Sequence, residues 1–349
     1  MAGSERKRLR FLPLLALVVV LLLSLCLGLT EAANGLQKPL KLRRNYYKYN
    51  KTCKDVEAYV RHQVELMWNK DKSIVAKLLR LVFSDCFVTG CDASILLDGP
   101  KSEKTAPQNS GLGGFELIDR IKTVLEIRCP GVVSCADILH LATRDAVHLA
   151  GGPSYIIFTG RRDGMTSVAS SVDIPSPSIS SEEALAYFTS RGLDVRDMAT
   201  LLGAHTLGRT HCHYIEDRLY NFKGTGKPDP TIDPYFLNEK RKQCPKRLKK
   251  DQSDPMVYLN PESGDRYSFT ESFYKRVNKS LAVLGIDQQL LYRDDTNELT
   301  SEFANSFLDF KLSTALSMNR MGSIRVLTGN EGEIRRTCNF TNKDNPYLK

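Results

Sequence analysis

No two cysteines in this chain stand at C-x-x-C spacing, which removes the commonest zinc frameworks even though the sequence holds nine cysteines. Internal repeats at solenoid periods are absent as well. Alternating apolar and polar residues are scarce, so a sheet-dominated architecture is excluded. The positive charge is moderate and spread along the chain, which argues against a nucleic-acid groove. With 42% hydrophobic and 26% charged residues, there is little room for long disorder. What is present is a chain of 349 residues, enough to bury a sizeable core in one large domain or two smaller ones.

Residues 1–33 read as a secretory signal. Arg6, Lys7, Arg8 and Arg10 form a basic start, an uncharged apolar run extends from Phe11 to Gly28, and Ala32 and Ala33 offer a small-residue cleavage point. The run is longer than usual, so an uncleaved membrane anchor is the alternative; Pro13 and the small residues after the run favour cleavage. Removing this segment takes four of the 49 basic residues and two of the 40 acidic ones, leaving a net charge of +7. A secreted, extracellular or cell-wall protein of that charge suits acidic polymers or small anions, although a solvated surface reads the same way. Eight cysteines remain, and an even count behind a signal argues for four disulfides, with 105 pairings open. Sequons at Asn50, Asn278 and Asn339 fit the same route.

Residues 34–45 read as a loose polar arm. Beyond it the apolar spacing is helical, as at Val60, Val64 and Met67 and again at Leu139, Ala142, Ala146 and Leu149. Breaks fall at Gly151-Gly152-Pro153, Ile174-Pro175-Ser176-Pro177 and Gly224–Pro230. The class is all-α. The stretch 174–181 is a hinge candidate that divides residues 46–349 into halves of about 46–180 and 181–345.

Two clusters carry chemistry. In Leu78–Ser94, helical spacing puts Arg80 and Ser84 one turn apart on one face. A tight loop follows between Cys86 and Cys91, with oxygen ligands from Asp85, Asp92, Ser94 and the Val88 and Gly90 carbonyls. A hard cation such as Ca²⁺ wants such ligands, and an ordinary acidic turn has the same composition. In Leu201–Cys212, His205 lies in a small-residue stretch that could be helical. It is either a ligand or a satisfied core histidine. His211 and His213 read as surface residues.

From about Tyr46 to near its end, the chain resembles the plant secretory (class III) haem peroxidases. The resemblance rests on the Arg80–Ser94 block, Cys129-Pro130-Gly131-Val132-Val133-Ser134-Cys135-Ala136-Asp137, Gly160-Arg161-Arg162-Asp163, Gly203-Ala204-His205-Thr206-Leu207-Gly208 and Gly285-Ile286-Asp287-Gln288-Gln289-Leu290 in that order. It implies a two-domain haem peroxidase fold, with haem b between a distal and a proximal helix. His205 falls on the proximal iron ligand and Asp287 on the carboxylate that takes its other ring N–H. Arg80 falls on the distal arginine, Phe83 on the phenylalanine over the haem face, Asn109 on the asparagine that orients the distal base, and Pro175 on the donor-access edge. Asp85, Val88, Gly90, Asp92 and Ser94, with Glu103 through water, fall on the distal calcium site, and Thr206 on the proximal one. The family pairing of cysteines would be Cys53–Cys129, Cys86–Cys91, Cys135–Cys338 and Cys212–Cys244.

The departures are specific. Ser84 stands where the family has its distal histidine, and a serine hydroxyl is no base near neutral pH. Lys77 replaces a small residue, and Asn260 and Thr270 stand where the second calcium site has carboxylates. The resemblance therefore implies a monomeric oxidoreductase that uses H₂O₂ on small phenolic donors, with weakened activity and one calcium ion. The alternative is a haem- and calcium-binding pseudoenzyme acting through its surface.

Overall fold

A computed structural model describes residues 42–246 and 253–348; the signal segment and most of the arm, residues 1–41, lie outside the described residues. The longest helices follow the apolar spacing. Val56–Lys70 buries Val56, Val60 and Val64 on one stripe. Cys135–Leu149 is enclosed on every side except its last turns, as expected of a helix at the centre of a core. Its N-terminus is fixed by Ser134, whose side chain accepts from Asp137 N at 3.1 Å. Val56–Lys70, Phe115–Arg128 and Ile74–Cys86 pack around it. A second group gathers Val195–Leu202, Ser272–Asn278, Asp294–Asn305 and Phe307–Met321. Reciprocal capping boxes, Ser180 with Glu183 and Asp194 with Asp197, start Ser181–Thr189 and Val195–Leu202.

Sheet is limited, among the described residues, to two short antiparallel ladders. One revises the reading of the arm. Arg43–Arg44 pairs with Phe158–Thr159, because the extended chain there finds an open backbone edge at Phe158. The other pairs Arg209–His211 with Met256–Tyr258. Leu42–Lys349 forms one compact unit, and its main apolar core draws residues from both sides of the 174–181 stretch. No described helix is long and apolar enough to cross a membrane.

Four disulfides cross-link the fold: Cys53–Cys129, Cys86–Cys91, Cys135–Cys338 and Cys212–Cys244. Of the 105 arrangements that eight cysteines allow, this is the one the resemblance implied. The sequon residues Asn50 and Asn278 are exposed; Asn339 is half-buried and donates to Asp98 Oδ2 at 3.0 Å.

Candidate active site

Ile74–Cys86 carries Arg80, Phe83 and Ser84. Arg80 reaches to the neighbouring turn, where its Nη2 donates to the Gln108 carbonyl at 2.9 Å. Desolvation lowers its pKa, from a starting value so high that the guanidinium stays charged near neutral pH. Tyr187 and Tyr214 stand close enough to bear on that charge, and nothing in the sequence pattern marks either of them. Phe83 packs on Phe87, with ring centroids 4.4 Å apart, and joins a small apolar cluster of Val88, Ala106, Val172 and Ile174.

Ser84 is fully buried, and its Oγ has no hydrogen-bond partner. Asn109, on the 3₁₀ turn Pro107–Asn109, donates from Nδ2 to the Glu103 carbonyl at 2.8 Å, while its Oδ1 is buried without a partner. A buried polar group left unpaired costs about 1–3 kcal/mol. The Arg80–Gln108 bond brings the two elements together, so both unpaired groups belong to one neighbourhood.

His205 sits beyond the end of Val195–Leu202, on the 3₁₀ turn Gly203–Thr206 rather than on a continuing α-helix. Close packing requires glycine at the junction: a Cβ on Gly203 would lie 2.1 Å from Tyr274 Oη. The His205 Nδ1 lies 2.7 Å from Asp287 Oδ1, with the carboxylate side chain only 1% exposed and the imidazole 29% exposed. That contact fixes one edge of the ring and leaves Nε2 for a ligand. Asp287 rides on Gly285–Gln289, which is tied to the 174–181 stretch by Ile286 N donating to Pro177 O at 2.7 Å. Pro175, half-buried, lies between that tie and the apolar cluster of Ile174.

The Cys86–Cys91 loop gathers oxygen. Asp85, Ser94 and Glu103 are fully buried, and Asp92 nearly so. Burial and the neighbouring Asp92 push Asp85 well above the usual carboxylate range, and burial pushes Glu103 up to about 7. Asp85 accepts from Ala93 N at 3.0 Å, whereas both Glu103 carboxylate oxygens lack partners. Gly90 is required by its turn: its φ is +130°, and a Cβ would strike the Arg325 carbonyl at 2.6 Å. Buried acids without enough cationic partners fit a bound cation.

The second candidate calcium group closes on itself. Asn260 Nδ2 donates to Thr206 Oγ1 at 3.1 Å and to Ser272 Oγ at 2.8 Å, and Thr206 Oγ1 donates to the Thr270 carbonyl at 2.9 Å. Ser272 was not foreseen from the sequence, since a lone serine carries no pattern. Asn260 thus turns its amide NH₂, a donor, toward the hydroxyls of this group.

A family model described as Peroxidase matches residues 60–306. The chain belongs to the plant peroxidase family. This peroxidase is 62% identical to "Probable peroxidase 61" of Arabidopsis thaliana, over 95% of this chain and 97% of that one. It is 64% identical to "Probable peroxidase 26" of the same plant, over 86% and 90%, and 44% identical to "Peroxidase 57", over 83% and 90%. Membership makes it a peroxidase-type oxidoreductase and implies a haem, H₂O₂ and a donor substrate. The residues fit a haem: an imidazole backed by a buried carboxylate, and an aromatic ring and a cation on a helix that also carries the unsatisfied Ser84 hydroxyl.

Proposed function

We propose that this peroxidase is a secreted enzyme that uses H₂O₂ to oxidise small phenolic donors, with slow peroxide cleavage because Ser84 replaces the distal base. The observation that carries this reading is the unpaired Ser84 Oγ together with the unpaired Asn109 Oδ1. His205 would hold haem b through Nε2, with Phe83 packing over the ring. When bound, the haem supplies the redox chemistry of peroxide reduction and donor oxidation. Asp287 keeps the His205 imidazole in one tautomer and makes it a stronger electron donor. Arg80 supplies fixed positive charge for the leaving oxygen and is held in place through Gln108. Asn109 Oδ1 is an acceptor suited to orienting an N–H at position 84, and serine cannot supply one that also acts as a base. Pro175 would line the donor edge.

The calcium loop of Asp85, Val88, Gly90, Asp92 and Ser94, with Glu103, holds one Ca²⁺ and fixes the end of the Arg80 helix. The self-satisfied Thr206–Asn260–Thr270 network supports an empty or weak second site. The same missing base favours the rival reading, a haem- and calcium-binding pseudoenzyme. Stopped-flow mixing of the haem-loaded protein with H₂O₂ separates them. A slow but complete change in the Soret band supports the enzyme. An unchanged ferric spectrum would replace it with the binder, and a fast change would show that Ser84 is not limiting.

A further inference from the structure

Two of the five histidines that the peroxidase reading leaves unused, His211 and His213, converge on one carboxylate. His211 ends the strand Arg209–His211, and His213 lies on the short turn Cys212–Tyr214. The chain turns at Cys212, whose sulfur is held in its bond to Cys244, and both imidazoles come to the same carboxylate. The chain leading into the facing strand supplies the third group. Cys212 N donates to Pro255 O at 2.9 Å, and His211 is in register with Met256, which sets Asp254 against both rings.

The His213 Nδ1 is hydrogen-bonded to Asp254 Oδ2. His211 Nδ1 lies 3.6 Å from the same oxygen, too far for a hydrogen bond, and this buried nitrogen has no hydrogen-bond partner. The two rings lie 5.8 Å apart at an interplanar angle of 24°. Two ligand atoms on a tetrahedral metal with bonds of about 2.0–2.1 Å stand about 3.3 Å apart. The His211–Asp254 pair is already near that separation. The His213 side chain is 44% exposed and can open its own contact by rotating its ring. Imidazole nitrogens with one carboxylate select zinc or copper over calcium or magnesium.

We propose that His211, His213 and Asp254 form a surface site for a divalent cation of the zinc–copper class, distinct from the haem and calcium positions. Water completes the coordination. The backbone ladder and the Cys212–Cys244 bond hold the three residues near one another, and rotation of the His213 ring closes the site. A Cβ on Gly111 would lie 3.6 Å from His211 Nε2, so an occupied site also braces the loop two residues beyond Asn109.

The test is calorimetric titration of Zn²⁺ into untagged, haem-loaded protein kept saturated with Ca²⁺. One equivalent should bind, and His213→Ser and Asp254→Asn should each weaken it about 10–100-fold, with an unchanged Soret band showing intact folding. The Asp254→Asn variant keeps the side-chain shape and guards against a folding artefact. Absence of binding to the parent protein, or equal binding by parent and variants, overturns the site.

Discussion

Replacing Ser84 with histidine should return a base to a position one helical turn from Arg80, on the helix that Arg80 ties to the turn of Asn109. Positioned proton transfer contributes about 10²–10⁴-fold. A gain at the lower end corresponds to about 2.7 kcal/mol of barrier. The larger side chain enters a fully buried site, where overpacking costs about 1–3 kcal/mol of stability. A new bond to Asn109 Oδ1 offsets about 1 kcal/mol of that. The variant should therefore fold with a melting temperature lower by no more than a few degrees. The assay is the rate of the Soret change on rapid mixing with H₂O₂, compared with Ser84→Ala, which should match the parent because the Ser84 hydroxyl has no partner to lose. Adding Asn109→Ala to Ser84→His should remove much of the gain, since the imidazole loses the acceptor that orients it. No acceleration in Ser84→His with haem intact would refute the assignment of position 84 as the missing base.

His205→Ala should lose most of its haem or change its ligation; an unchanged haem spectrum would contradict His205 as the iron ligand. Metal analysis after gentle dialysis should find about one Ca²⁺ per chain; two tightly held ions would show that the Asn260 network opens to bind. Thiol titration in non-reducing denaturant should find none among the eight cysteines of the mature chain, and two or more free thiols in folded material would contradict the four bridges. Burial, with the charge of Arg161, holds the His140 pKa well below 6.5, so the unfolded chain takes up a proton near that pH that the folded chain refuses. Stability should thus fall below pH 6.5, by at most about 1.4 kcal/mol per unit, and His140→Gln should lose this part of the slope. A melting-temperature difference between parent and His140→Gln that stays constant from pH 7 to pH 5 would refute it.

The residues legible in the sequence are those whose chemistry is local. Arg80 and Ser84 share a helix face by spacing alone, and the oxygen donors around Cys86 and Cys91 lie within one short loop. The meeting of His205 with Asp287 joins residues far apart in the chain, and only the family resemblance anticipated it. Contacts made by backbone atoms left no trace at all. The Gln108 carbonyl that holds Arg80 could belong to any residue type, and so could the Pro177 carbonyl that ties down the Asp287 helix. Ser272 and the pairing of Arg43–Arg44 were hidden for the same reason: their roles come from what folds against them.

Arg335 sets an order of events during synthesis. Its buried guanidinium donates to the Ala93, Gly164 and Cys338 carbonyls, and Cys338 is bonded to Cys135. The loop around Asp85, Asp92 and Ser94 therefore cannot be locked until Arg335 has emerged. At about 5–20 residues per second, the 242 positions between Ala93 and Arg335 take roughly 12–48 s to make. Throughout that interval the loop's acids have no Arg335 beside them, and a chain truncated before position 335 would carry most of its helices with that loop unlocked.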